Sequence, residues 1–196
     1  YHRSTWHYEL GATLVIGDPT GLSIPERPGA LPIDATMETQ DLYVSQAIVL
    51  CEKTLGDATV SSADRSIALC WLAHLVADSH QPCHAGSLYM EKVFTEEDGD
   101  RGANGILTKQ KKNLHALWDQ LLGNKFTQGG VNRRYGRIVT NPELVEAGKR
   151  SIDGEGALDV HRWLEESENL ARANVYTEEI RSSLHLVTRG LIEKPE

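Results

Sequence analysis

His74-Leu-Val-Ala-Asp78 and its echo His115-Ala-Leu-Trp-Asp119 decide how this chain is read. In each, a histidine and an aspartate stand four residues apart, so on a helix they lie one above the other on the same face. An imidazole nitrogen and a carboxylate oxygen offered from one rigid element grip a metal ion. A lone His-x-x-x-Asp pair is most simply a surface contact between neighbours, but two pairs, joined by His84 and His7, outweigh that reading. Both pairs sit among apolar residues such as Trp71, Leu72, Leu75, Leu117 and Trp118. Polar groups in such surroundings need a partner to offset their desolvation. Mixed nitrogen and oxygen donors suit zinc and its borderline neighbours better than magnesium or calcium. The fold is therefore expected to be a helical bundle with a metal site built into it.

Outward from these pairs, helical periods dominate and the class is all-α. A helix is predicted from about Thr39 to Leu55, burying Leu42, Ala47, Ile48, Cys51 and Leu55 and ended by Gly56. The next starts at Ser61 or Ser62, buries Ile67, Trp71, Leu72, Leu75 and Val76, and stops before Pro82. Thr108 to Leu122 carries the second pair, and a Gly-rich connector is expected to reach Tyr135. Asn141-Pro142 reads as an N-cap followed by a first-turn proline, opening a helix to about Lys149. Two more helices are expected near Ala157–Ala173 and Thr177–Leu191. The Gly- and Pro-rich stretch from Gly11 to Pro32 and the acidic stretch from Thr95 to Gly105 read as long loops.

The chain has 196 residues, a length expected to form a single metal-binding helical domain. No apolar run is long enough to cross a bilayer. A net charge of −8 excludes a broad basic surface for duplex nucleic acid. It leaves room for a phosphate substrate, because bound divalent cations make a cleft locally positive. Cys51, Cys70 and Cys83 form no CxxC, and one disulfide is as open as three free thiols. His80 is expected either to orient a metal ligand or to play a structural part, and His2, His161 and His185 to be solvated or packing residues. Asp100-Arg-Gly-Ala-Asn104 is a turn whose small residues let substrate approach, with Asn104 offering an amide.

Trp6-His7-Tyr8, His74-Leu-Val-Ala-Asp78-Ser-His80-Gln-Pro-Cys-His84, Asp100-Arg-Gly-Ala-Asn104 and Asn113-Leu-His115-Ala-Leu-Trp-Asp119 together resemble the signatures of the trinuclear-zinc, single-strand-specific nucleases, the S-one/P-one family. That family is related in fold to zinc phospholipase C. Trp163-Leu-Glu-Glu-Ser167 and Val175-Tyr176 fit as well. The resemblance implies a phospholipase C/P-one type bundle with long loops over a metal cleft. It implies an endonuclease on single-stranded DNA or RNA that leaves 5′-phosphates, with 3′-nucleotidase activity, no obligate protein partner, and a secreted or periplasmic location. His7, His74 and Asp78 would hold one zinc of a close pair, and His84, His115 and Asp119 a third zinc. Asp78, Glu9 and Asn104 would serve catalysis. The alternatives are a zinc phospholipase C-like hydrolase and a noncatalytic zinc-binding domain.

Several family features are missing. Only Tyr1 to Thr5 precede Trp6, so the amino-terminal Trp, its following His and an upstream Asp have no counterpart, and Tyr1 or His2 lie too near His7 to replace them. The family's last helix is expected to be absent after Pro195. Ala103 replaces a glycine and Cys83 a leucine. The chain is accordingly expected to be a fragment lacking the amino-terminal segment and last helix, with one complete zinc site and one partial.

Overall fold

A computed structural model describes residues 2–121, 123, 127–152 and 158–188. Among them run seven α-helices: α1 Val44–Gly56, α2 Ser62–Ser79, α3 Leu114–Asp119, α4 Gln128–Val139, α5 Pro142–Ile152, α6 Val160–Leu170 and α7 Glu178–Thr188. The all-α class holds, with one addition. Strands β1, Ala12–Ile16, and β2, Ser87–Met90, pair in parallel, with Leu14 opposite Leu88 and Ile16 opposite Met90. Strands this short carry too few alternations to show in sequence.

The helix bounds follow local chemistry. Ser61 caps α2 by accepting from the Asp64 amide at 3.1 Å, as its hydroxyl promised. Asn141 Oδ1 accepts from the amides of Glu143 and Leu144 at 2.9 and 3.2 Å and opens α5. Helix α1 starts later than predicted, because residues 36–39 close a turn of their own and Arg3 reaches the Met37 carbonyl at 2.7 Å. Helix α3 also starts late, at Leu114, where Asn113 caps it by accepting from Ala116 N at 2.8 Å. It also ends earlier than the predicted Leu122, at Asp119, where the Gln120 amide turns back to the Leu117 carbonyl at 3.2 Å; the predicted end of α7, Leu191, lies outside the described residues. The expected Gly-rich connector is a correction: from Gln128 it is α4, capped by Thr127, which accepts from Gly130 N at 3.2 Å. A capping hydroxyl outweighs the cost of glycines in a first turn.

Two buried clusters hold the elements. The first joins α1, α2 and α6 through Leu42, Ala47, Ile48, Cys51, Leu75 and Leu164, with Trp6 beneath them. Of the predicted core face of α1, Leu42, Ala47, Ile48 and Cys51 are buried and Leu55 packs partly against them; on α2 only Leu75 of the predicted five is buried, while Ile67, Trp71, Leu72 and Val76 are half-buried. The second gathers Leu88, Met90, Phe94, Leu114, Val175 and Tyr176. Between them, the segment after His7 bonds both ways: Val44 N donates to Tyr8 O at 3.1 Å and Glu9 N to His84 O at 2.7 Å. That seam brings residue 7 beside residues 74–84.

Candidate metal centre

Trp6 and His7 end a short 3-10 turn, Ser4–His7, and Trp6 packs on Trp71 with ring centroids 5.1 Å apart. This packing sets His7 over the outward face of α2. His7 Nδ1 lies 2.8 Å from Asp78 Oδ2 and 2.9 Å from His74 Nε2, and His74 Nε2 lies 3.0 Å from the same oxygen. A second trio forms where α3 meets the turn after Pro82. His84 Nε2 and His115 Nε2 face each other at 3.3 Å, and the two Asp119 oxygens stand 3.8 Å from the first and 3.5 Å from the second. His84 Nδ1 approaches Asp78 Oδ1 at 3.4 Å, an ion-pair contact without hydrogen-bond geometry, and so links the trios.

These donor sets fit a metal. Donors about 2.0–2.1 Å from a tetrahedral zinc lie about 3.3 Å from one another. Both trios cluster around that spacing, with all their ligand atoms within 4.8 Å. His115 Nδ1 sits 2.6 Å from the Gly102 carbonyl, which only accepts, so this nitrogen carries the proton and Nε2 keeps its lone pair. The His115 lone pair, turned toward His84 Nε2 beside the Asp119 carboxylate, suits a cation between them. Gln81 Nε2 donates to Asp119 Oδ1 at 2.9 Å and steadies it.

The electrostatics agree. Burial alone would raise the Asp78 carboxyl, but contacts from His7 and His84 and charge on His84 and His74 outweigh it and hold it at about 2. Burial lowers His115, against the pull of the Gly102 carbonyl, which favours the neutral ligating ring. Behind α3, burial pushes Asp100 up to about 6, despite hydrogen bonds from the Leu88, Ala103 and Gly102 amides and the Tyr176 hydroxyl.

The six predicted ligands are thus brought together. The other predicted residues hold the frame. Glu9 is buried, which raises its carboxyl, and its two oxygens accept from the amides of Ser45 and Leu10, both at 3.2 Å. It pins the His7 segment to the start of α1. Asn104 donates to Arg101 O at 2.8 Å and accepts from Asn113 Nδ2 at 3.0 Å, tying its loop to α3. His80 turns from the trios and lies 5.1 Å from the Trp163 ring, consistent with a structural role. His2 is exposed, and Tyr1 lies outside the described residues.

A cleft of about 640 Å³ opens over His7, His84 and His115. Tyr8 and Tyr43 line it as an edge-to-face pair, centroids 5.8 Å apart, and burial raises both hydroxyls. Sequence reasoning placed Tyr8 only within the Trp-His-Tyr signature and missed Tyr43, since no spacing links residue 43 to residue 8. On the other side of His7 and His74 lies an open apolar groove with Ile67, Cys70 and Trp71. The three cysteines are free; Cys51 and Cys83 are buried and Cys70 is exposed.

A profile of the S1/P1 nuclease family matches residues 4–189. Endonuclease 4 of Arabidopsis thaliana is 28% identical over 136 residues, covering 65% of this chain and 40% of that protein. Endonuclease 5 of the same plant is 29% identical over 99 residues, covering 49% of this chain and 28% of that protein. The matched stretch therefore spans less than half of either relative.

Proposed function

The chain belongs to the S1/P1 nuclease family, and on that premise we propose that it is a zinc-dependent phosphodiesterase that cuts single-stranded DNA or RNA, leaves 5′-phosphate ends, and also acts on 3′-nucleotides. The observation that carries this reading is the pair of His-His-Asp trios joined through Asp78 and His84. His7, His74 and Asp78 would hold one ion, and His84, His115 and Asp119 another. Bound zinc supplies Lewis acidity, which makes water a nucleophile near neutral pH and neutralises charge gathering on a phosphoryl group.

The chain's own residues prepare that chemistry. Asp78 stays ionised and presents one oxygen to each trio. The Gly102 carbonyl fixes the tautomer of His115, and Gln81 fixes the rotamer of Asp119. Tyr8 and Tyr43 offer ring faces and edges on which unpaired bases stack, a contact that a paired duplex withholds. Glu9 and Asn104 serve by holding the backbone that carries His7 and α3.

Incubation of the zinc-loaded chain with single-stranded and duplex oligonucleotides tests the proposal. The expected result is cleavage of the single strand, with products that a ligase accepts without prior phosphorylation. A chain that binds zinc at both trios, as elemental analysis reads, yet leaves both substrates intact would overturn it.

A further inference from the structure

Charge is spread unevenly around the cleft. Glu96, Glu97 and Asp98 line one wall, where Arg101 pairs with Asp98 at 3.8 Å. The segment 107–113, which leads into α3, has the opposite character. It carries Lys109, Lys111 and Lys112 and no acidic residue, in a chain whose net charge is −8. Its ends are closed by the Leu114 amide, which donates to the Ile106 carbonyl at 2.8 Å. Within it, the Thr108 hydroxyl donates to Lys111 O at 3.0 Å and accepts from Lys111 N at 3.2 Å. The loop is therefore a built turn. Lys109 and Lys112 are exposed and Lys111 is half-buried. None of the three is in an ion pair among the described residues.

None of these lysines lines the cleft itself, but along the chain the loop runs directly into the metal centre. Lys112 precedes Asn113, which donates to the cleft residue Asn104 at 3.0 Å, and His115 follows on the first turn of α3. We propose that this lysine loop is the surface over which a single-stranded nucleic acid leaves the metal centre, its successive phosphates neutralised by Lys109, Lys111 and Lys112. Uncompensated ammonium groups attract phosphates and release their counterions, whereas the carboxylates of 96–98 repel a polyanion and take only the uncharged edges of base and sugar. The inference rests on the nuclease reading and adds to it a direction for the strand.

Binding is read apart from turnover, by fluorescence anisotropy of a labelled oligothymidylate of about 12 nucleotides in EDTA, between roughly 50 and 200 mM salt. The K109Q/K111Q/K112Q variant is expected to bind about tenfold more weakly at low salt, with a slope of log affinity against log salt reduced by about 2, or about 0.7 for each lost phosphate contact. The K109R/K111R/K112R variant is expected to bind as the parent does, and E96Q/E97Q to bind more tightly. Unchanged affinity and slope in the glutamine variant, equal weakening in the arginine variant, or no binding by the parent would each overturn the proposal. Cleavage with zinc is scored separately. A parent that binds through the lysines yet never cuts refutes the nuclease reading alone.

Discussion

Gly102 has φ of +58° and lies between Arg101 at +58° and Ala103 at +68°, three successive residues in the left-handed region. For the two with side chains that backbone costs about 1–2 kcal/mol each. It persists because hydrogen bonds fix the loop on both sides, from Gly105 N to Asp100 O at 2.8 Å and from His115 N to Ala103 O at 3.3 Å. A Cβ at Gly102 would collide with the Cys83 carbonyl. Gly102→Ala is therefore expected to cost about 2 kcal/mol or more and to move the carbonyl that orients His115. A lower melting temperature together with reduced metal content would report it. The neighbouring Asp100 makes a pH prediction. Burial raises it to about 6 in the folded chain, against about 3.9 unfolded. The folded state thus holds a proton between those values that the unfolded state has lost, and the resulting stabilisation is complete below about pH 4 and gone above about pH 6. Urea unfolding in EDTA should show Asp100→Asn lacking this fall, read as the difference from the parent across that range.

Helix α2 supplies three of the site's landmarks: Trp71 under Trp6, and His74 and Asp78 on the face that meets His7. Its start depends on the Ser61 cap, and Ser61→Ala is expected to cost about 1 kcal/mol. For a chain of this size that is about 2–4 °C in melting temperature, with metal content unchanged, since Ser61 lies three turns from His74. The same helix shows what sequence discloses. A cap, a period and an i,i+4 pair are local, so α2, the α5 cap and both His-x-x-x-Asp pairs were legible from residue order alone. The β1·β2 pairing, the late starts of α1 and α3, and the Tyr8–Tyr43 contact were not. The start of α3 is set locally, by the Asn113 cap on Ala116; the other three are decided by a partner distant in sequence: β2 for β1, Arg3 for the turn before α1, and Tyr43 for Tyr8. Glu9 shows the same limit, because its bond to the Ser45 amide spans 36 residues.

Across the whole molecule, the two buried clusters meet at the seam that carries the metal ligands, and polar bonds clasp the outside. Arg27 and Arg172 both pair with Glu168, and Arg172 also donates to Thr13 O at 2.7 Å. This clasp fastens the loop after β1, and β1 itself, to α6 and the π turn that follows it, Ala171–Val175. The clusters also sort the cysteines. Burial pushes the Cys51 thiol up to about 12 and raises Cys83 as well, which keeps both protonated, while Cys70 faces solvent. Ellman's reagent is expected to titrate one thiol in the native protein and three after denaturation; rapid release of more than one from the native chain would contradict the packing. Cys70 is also one helical turn before His74 and borders the same groove. A maleimide dye coupled there would report from beside the imidazoles, its emission changing as ions arrive, so the chain carries its own attachment point for following metal loading in real time.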